Sequence, residues 1–113
     1  MGSTARPLPP GSTIGILGGG QLGRMLALAA ARLGLKTHVY SDEAGPAFDV
    51  AAATTVGDYN DREALQRFAK RIDVATYEFE NVPVDAARQL EQLVPVRPGA
   101  RALEVAQDRL AEK

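Results

Sequence analysis

The sequence is poor in the residues that carry covalent and metal chemistry. Its 113 residues include no cysteine and no tryptophan, and only one histidine. The absence of cysteine excludes disulfides, thiolate catalysis and cysteine-based zinc sites, and it is typical of a reducing compartment such as the cytoplasm. Because the chain has no serine or cysteine nucleophile signature and no second imidazole, His38 is predicted to be a packed residue rather than a catalyst.

Strong charge and long apolar runs are also missing. The formal net charge is −1, so no field is present that would gather nucleic acid or an anionic membrane, and neither is expected as a partner. The longest strongly apolar run, Met25 to Ala31, is far too short to span a bilayer. With 45% hydrophobic and 24% charged residues, the composition is that of one globular domain able to bury a core.

The most informative stretch is a glycine-rich turn near the start of the chain. A short apolar run over residues 14–17 enters three consecutive glycines that begin at Gly18, and a helical pattern starts at once at Gln21. Gly18, Gly20 and Gly23 have the G-x-G-x-x-G spacing. Glycine lets a ligand approach the main chain closely, and a helix N-terminus offers N–H groups and the positive end of its dipole. The pattern favours binding of a phosphate group, but it does not identify the ligand that carries this group.

The rest of the chain alternates short apolar runs with helical patterns. Strands are predicted over residues 14–17, 37–40, 54–56 and 73–77, with a short and marginal one over 94–96. This alternation predicts an α/β fold, a Rossmann-like parallel sheet with helices on both faces. Since ligands of such sheets bind beyond the carboxyl ends of the strands, the loops over residues 18–23 and 78–83 matter most.

Apolar spacing predicts which side of each helix is buried. In the first helix the predicted buried stripe is Leu22, Met25, Leu26, Ala29 and Leu33, with Gly34 as a left-handed cap. A weak helical segment is predicted over 48–53, and Asn60 with Glu63 is predicted to form a capping box for the next helix. The predicted core face of that helix is Ala64, Leu65, Phe68, Ala69 and Ile72. Pro83 begins a further helix, carried by Ala86, Ala87, Leu90 and Leu93.

Composition divides the chain into three parts. Residues 1–12 are rich in Gly, Ser, Thr and Pro and are expected to be a flexible leader or tag. Residues 13–99 form the predicted Rossmann-like domain. Residues 100–113 carry a last helical pattern, with Leu103, Ala106 and Leu110 on one face.

Acidic residues follow two of the predicted strands. Glu78 and Glu80 come at the end of the fourth strand, where a carboxylate can face a ligand or simply stand in solvent near a helix N-terminus. Asp42 follows the second strand, at the position where a dinucleotide-binding fold keeps its ribose-binding acid. Its neighbours are typical of a turn, so a loop-capping role is the alternative.

Two separated motifs resemble a known family. The runs Gly18 to Met25 (GGGQLGRM) and Thr76 to Pro83 (TYEFENVP), with the closing run over 107–113 (QDRLAEK), are similar to the amino-terminal domain of the ATP-dependent aminoimidazole ribonucleotide carboxylases. These enzymes are also called carboxyaminoimidazole ribonucleotide synthetases. The formate-dependent glycinamide ribonucleotide transformylases share the glycine loop, but they have Glu in place of Gln21 and lack the YEFEN run, so the carboxylases are favoured.

The resemblance implies an ATP-grasp ligase of de novo purine biosynthesis. In such enzymes ATP and bicarbonate form carboxyphosphate, and the carboxyl group passes to the amine of aminoimidazole ribonucleotide. The resemblance implies that ATP and magnesium bind to two later domains, to which residues 100–113 lead. It implies no catalytic residue, metal ligand or bound cofactor in this chain, which is expected to be inactive alone. It also implies a cytoplasmic enzyme that is a homodimer at full length.

The same resemblance implies a partial ribonucleotide site. Gly20, Gln21 and Leu22 would lie at the substrate, with backbone N–H groups and the Gln21 amide as donors. Glu78 would be the acceptor for ribose hydroxyls or the exocyclic amine, and Glu80 would orient the loop.

Two other functions fit the residues. The first is a dinucleotide-binding domain of an NAD(P)-dependent oxidoreductase that uses Gly18, Gly20, Gly23 and Asp42. The second is a regulatory or interaction module that kept the fold and lost the chemistry. The loop over residues 78–83 separates the first of these from the carboxylase hypothesis, because a nicotinamide domain does not require it.

Overall fold

A single parallel sheet organises the domain. The computed structural model describes residue 9 and residues 11–78 and 82–97. Within these ranges the strands are β1 (Thr13–Leu17), β2 (Lys36–Ser41), β3 (Ala53–Val56) and β4 (Val74–Tyr77), in the spatial order β3-β2-β1-β4. The helices are α1 (Gln21–Arg32), α2 (Arg62–Ala69) and α3 (Val84–Glu91), and a 3₁₀ helix spans Pro46–Asp49. The prediction of a Rossmann-like α/β fold is confirmed.

The marginal fifth strand is reduced to one parallel bridge, between Val96 and Ala75 of β4. The Ala75 N–H donates to the carbonyl of Pro95 at 2.9 Å, and the Arg97 N–H donates to the carbonyl of Ala75 at 2.8 Å. Proline has no N–H of its own to continue a ladder. The pairing therefore stays local.

The larger core lies between the sheet and helices α2 and α3. Its buried members are Leu17, Tyr40, Tyr59, Ala64, Leu65, Phe68, Ala69, Ile72, Ala75, Tyr77, Val82, Ala86, Ala87, Leu90 and Val96. The Phe68 ring lies at its centre, 5.3 Å from the Tyr40 ring and 5.1 Å, edge-on, from the His38 ring. All the core residues predicted for α2 are buried. In α3 only Leu93 departs from the prediction, being 47% exposed where the chain turns away after the helix.

His38 is a packed residue, as predicted. The side chain is 2% exposed, and its Nε2 lies 2.7 Å from the hydroxyl of Thr55 on the neighbouring strand β3. Burial lowers the pKa of His38 below 6.5, and the nearby Arg71 cation lowers it further.

The opposite face of the sheet is covered by α1 and the 3₁₀ helix. Its fully buried residues are few: Ile16, Ala27, Val39 and Ala47. The predicted stripe of α1 is wrong, because the helix buries Gly23, Ala27 and Ala30 instead. Of the predicted residues, Met25 is 64% and Leu33 73% exposed, Leu22 and Ala29 are also exposed, and Leu26 is partly buried.

The physical reason is how closely the first turn of α1 approaches the glycine loop. A Cβ atom at Gly23 would lie 2.8 Å from the carbonyl oxygen of Gly18 and 3.3 Å from the Cβ of Ala47. Only a helix side made of small residues fits such a contact. The larger apolar residues therefore face outward.

The helix ends follow local chemistry. Gly34 ends α1 with φ +78°, and the N–H groups of Gly34 and Leu35 donate to the carbonyls of Ala31 and Ala30. This pattern is a Schellman motif, which confirms the predicted cap.

The predicted Asn60–Glu63 capping box is wrong. Asp61 caps α2, and its carboxylate accepts from the Ala64 N–H at 3.0 Å. Asn60 belongs to the preceding turn, where its N–H donates to the Asp58 carboxylate at 2.8 Å. The helix therefore starts one residue later.

The helix predicted over 48–53 is shorter and earlier, as the 3₁₀ helix Pro46–Asp49. Pro46 suits a first helical turn, and the chain must already enter the sheet at Ala53, opposite His38. The helix predicted over 100–113 and most of the leader lie outside the described residues. Gly11 and Ser12 bond through their backbones to Gly34 and Lys36, and the division of the chain at residues 12 and 99 stays a prediction. In the part that the structure describes, no helix has the length and apolarity to cross a membrane.

Candidate functional site

The glycine loop lies at the carboxyl end of β1 and is held from two sides. The Gly18 N–H donates to the carbonyl of Tyr40 at 2.8 Å, which ties the loop to β2. Gly18 has φ +113°, a conformation that strains any other residue. From the other side, the Ala47 N–H donates to the carbonyl of Gly19 at 2.9 Å. The backbone that leads into α1 is therefore fixed in position.

Glu78 lies directly against this loop. Its N–H donates to the carbonyl of Leu17 at 3.0 Å, so the pairing between β4 and β1 continues one residue past the strand. The Glu78 side chain is 4% exposed, and its Oε2 accepts from the Gly23 N–H at 2.8 Å. The N-terminal amides of a helix lack intrahelical partners, and the helix dipole favours an anion there. The alternative of a solvated carboxylate is therefore wrong for Glu78.

The three spaced glycines make room for this carboxylate. A Cβ atom at Gly18 would lie 2.6 Å from Glu78 Oε1, and one at Gly20 would lie 3.1 Å from Oε2. At Gly23 the corresponding distance to Oε2 is 3.3 Å. The open space of the G-x-G-x-x-G turn is thus lined and filled by an acid of the same chain.

Two amides at the start of α1 are left for a ligand. Gly20 is the N-cap residue and provides no side-chain cap. Within the described part of the chain, the N–H groups of Gln21 and Leu22 have no hydrogen-bond partner, and both side chains are exposed. Donors from the helix and an acceptor from Glu78 therefore lie at the same edge of the sheet.

A pocket of about 360 Å³ opens beside the loop. It is lined by Gly19, Gly20, Ser41, Asp42, Glu43, Ala44, Gly45, Pro46, Tyr59 and Glu78. Among the described residues, this lining contains carboxylates from Asp42, Glu43 and Glu78 and no lysine or arginine. The pocket therefore favours ligand groups that donate hydrogen bonds.

Tyr59 adds a neutral hydroxyl to the pocket. Its OH donates to the Ser41 hydroxyl at 3.4 Å. Burial raises the pKa of Tyr59 above 10, and the carboxylates of Asp42 and Glu78 raise it further against the opposing effect of the Ser41 hydrogen bond. The phenol is therefore protonated at neutral pH.

The structure brings most of the predicted site residues together. Gly20 and Glu78 line the same pocket, and Gln21 and Leu22 follow Gly20 directly on α1. Asp42 lies at the pocket as an exposed residue. Glu80 lies outside the described residues.

Sequence reasoning missed Ser41 and Tyr59. Ser41 is the last residue of β2, and Tyr59 follows the end of β3. The rule that ligands bind beyond the carboxyl ends of parallel strands could have nominated both. Among the residues that the structure describes, no group of three acidic or histidine side chains converges to hold a metal ion.

Known proteins are similar to this chain in sequence and in fold. The chain is 56% identical over 107 residues to the N5-carboxyaminoimidazole ribonucleotide synthase of Brucella melitensis, covering 94% of this chain and 30% of that protein. The N5-carboxyaminoimidazole ribonucleotide synthetase of Thermus thermophilus superposes with a TM-score of 0.78 at 56% identity, over 88% of this chain and 28% of that one. The Staphylococcus aureus N5-carboxyaminoimidazole synthetase, solved with ADP, superposes with a TM-score of 0.82 at 39% identity, over 94% of this chain and 29% of that one.

The chain thus spans less than a third of the length of these relatives. The family model of the ribonucleotide synthetase preATP-grasp domain matches residues 11–107. That range contains the glycine loop, Glu78 and the whole sheet. The chain belongs to the ribonucleotide synthetase preATP-grasp domain family.

Proposed function

We propose that this domain is the amino-terminal part of an ATP-dependent carboxyaminoimidazole ribonucleotide synthase, a ligase of de novo purine biosynthesis. In this proposal the domain contributes part of the site for aminoimidazole ribonucleotide. The observation that carries it has two parts at one edge of the sheet. The buried Glu78 carboxylate accepts from the Gly23 N–H, and the nearby N–H groups of Gln21 and Leu22 have no partner among the described residues. The names of the relatives support the choice of substrate, and they do not favour the dinucleotide-binding alternative.

Each proposed contact pairs a hydrogen-bond donor with an acceptor. The amides of Gly20, Gln21 and Leu22, together with the Gln21 side chain, donate to acceptor atoms of the ribonucleotide. Glu78 accepts from ribose hydroxyls or from the exocyclic amine, and Glu80 orients the loop that follows it. The acidic lining of the pocket supports this orientation, because carboxylates favour donors.

The chemical step belongs to the rest of the enzyme in this proposal. There ATP would transfer its terminal phosphoryl group to bicarbonate, giving carboxyphosphate and ADP, and magnesium would serve as the counter-ion of ATP. The carboxyl group would then pass to the amine of aminoimidazole ribonucleotide with release of phosphate. In the ranges that the structure describes, the pocket lining has no basic side chain for a triphosphate, and no group of acids converges on a metal ion. Both observations support placing ATP and magnesium outside this pocket. The full-length enzyme is proposed to be cytoplasmic and homodimeric, and the 113-residue chain is proposed to have no turnover.

Titration of the chain with aminoimidazole ribonucleotide, followed by amide chemical shifts, tests the proposal. Saturable shifts are expected at Gly20, Gln21, Leu22 and Glu78. Shifts confined to other surfaces, or no shifts at saturating nucleotide, would reject a ribonucleotide site in this domain.

A matched pair of variants assigns the effect to Glu78. Glu78→Gln removes the proposed charged acceptor and is expected to weaken binding at least about tenfold, since hydrogen bonds to charged groups contribute about 1.5–3 kcal/mol. Glu63→Gln removes the same charge from the exposed first turn of α2, away from the pocket. It should leave the affinity unchanged. Equal weakening by both variants would mean that only net charge matters.

A further inference from the structure

The glycine loop has the residue pattern of a dinucleotide-binding site, but the space in which a pyrophosphate would lie is occupied. In the Rossmann fingerprint the second glycine lets the backbone approach a pyrophosphate, which rests on the helix N-terminus, and an acid after the second strand binds the ribose. Here Gly20 and Asp42 stand at the corresponding positions of the same pocket. The space over Gly20 is taken by Glu78, whose Oε2 and Oε1 lie 3.1 and 3.2 Å from where a Cβ of Gly20 would be.

Glu78 also supplies the charge that a pyrophosphate would bring. Its carboxylate accepts from the Gly23 N–H at 2.8 Å in a buried position, so an anion already lies at the positive end of the helix dipole. Asp42 and Glu43 add two more carboxylates to the same lining. A diphosphate would therefore be repelled by these carboxylates, and the Gly23 N–H that could bind it already donates to Glu78.

We propose that Glu78 is a specificity-determining residue that closes the glycine loop to dinucleotides and other diphosphates. The side chain occupies the position that the fingerprint otherwise offers to the pyrophosphate, through both its volume and its charge. This inference goes beyond the ribonucleotide proposal and does not depend on it, because it rests on the contacts of Glu78 with the three spaced glycines and on the negative charge of the pocket lining.

Pyrophosphate and NADH are the probes for this inference. The wild-type chain is expected to show no saturable amide shifts at residues 20–23 with either compound at millimolar concentration. Glu78→Ala removes the carboxylate and opens the space over Gly20, so it is expected to bind pyrophosphate at least about tenfold more tightly, with shifts at Gly20 and Gly23. Glu78→Gln keeps the volume and loses the charge, and a smaller gain is expected.

Glu43→Ala and Glu43→Gln are the matched controls, because Glu43 lines the same pocket but is exposed and not on the loop. They remove like charge from the pocket but leave Glu78 on the loop, so they are expected to gain clearly less pyrophosphate affinity than the matching Glu78 variants. Pyrophosphate shifts at residues 20–23 of the wild type, or equal gains in the Glu43 and Glu78 variants, would overturn the inference. If Glu78→Ala does not fold, the comparison of Glu78→Gln with Glu43→Gln decides. Since aminoimidazole ribonucleotide is not among the probes, failure here is distinct from failure of the proposed function.

Discussion

The two faces of the sheet are built for different tasks. The face toward α2 and α3 buries a large cluster with three aromatic rings in contact, those of Tyr40, Tyr59 and Phe68. Among the described residues, the buried hydrophobic cluster on the face toward α1 has four members, two of which are alanines. Because hydrophobic stabilisation scales with the apolar area removed from water, the first face supplies most of the stability.

The weaker face supplies the geometry of the site. Its helix approaches the loop so closely that Gly23 meets both the Gly18 carbonyl and the Glu78 carboxylate. Larger side chains on that side of α1 would move the helix N-terminus away from Glu78. The comparison teaches that small residues in a sparse core can mark the side of a sheet where the chemistry lies.

A pair of Phe→Ala variants gives the largest expected effect. Phe68 is 2% exposed in the larger core, and Phe68→Ala is expected to lower the free energy of unfolding by about 3–5 kcal/mol. Phe48 is only partly buried in the smaller core, so Phe48→Ala should cost clearly less. Urea denaturation followed by circular dichroism measures both. Equal losses would contradict the division between the faces.

Gly23→Ala tests the close approach of α1. At an ordinary helical position, Gly→Ala stabilises by about 1 kcal/mol. Here the new methyl group would meet the Gly18 carbonyl oxygen at 2.8 Å, and overpacking of this kind costs about 1–3 kcal/mol. Net destabilisation is therefore expected, together with shifts of the Glu78 and Gly23 resonances. A stabilised variant with unchanged resonances would show that the contact is loose.

Much of the fold could be predicted because periodicity and local chemistry agree with it. The buried face of α2, from Ala64 to Ile72, has one apolar stripe and no competing one. Gly34 follows the last turn of α1, where a left-handed residue is needed. These features depend on neighbours within a few residues.

The buried side of α1 could not be predicted in this way. Gly23, Ala27 and Ala30 have helical spacing, as do Leu22, Met25 and Leu33, and hydrophobicity favours the second set. The choice is made by the space between the helix and the glycine loop, which only the folded structure defines.

The candidate site also has one part that could be predicted from the sequence and one that could not. The motif beyond the fourth strand predicts a site residue at Glu78, but the bond of Glu78 to the Gly23 amide joins residues 55 positions apart. Tyr59 and Ser41 reach the pocket only because β2 and β3 pair in parallel and end at the same edge. No local sequence pattern predicts this pairing register between distant strands.

Acidification tests the larger core through its buried histidine. The pKa of His38 lies below 6.5 in the folded state, first because of burial and then because of Arg71. Above pH 6.5 the imidazole is neutral in both states and the stability is at its full value. As the pH falls below 6.5, the unfolded chain takes up the proton first, so stability is expected to fall until the folded pKa is also passed.

The free energy of unfolding measured between pH 7.5 and 5 checks this expectation, in steps of about 0.5 unit chosen to bracket the unperturbed histidine pKa. His38 is the only histidine, so His38→Gln should remove the slope near pH 6 while leaving losses at lower pH that belong to carboxylates. If the slope persists in His38→Gln, another group causes it. The description of the sheet face toward α2 and α3 as a tightly packed core around His38 would then be weakened.

The smallest effect is expected at Met25, on the outer side of α1. Met25 is 64% exposed, so Met25→Lys should change the free energy of unfolding by less than about 0.5 kcal/mol, as at most surface positions. Ala27, two residues along the same helix, is 1% exposed between α1 and the sheet, and Ala27→Lys should abolish folding or shift the helix, because a buried unpaired charge is costly. Urea titration of the two variants compares the two sides of one helix directly. A large loss at Met25 with tolerance at Ala27 would mean that α1 buries its leucine-rich side, and the Gly23 amide could then not meet Glu78 as described.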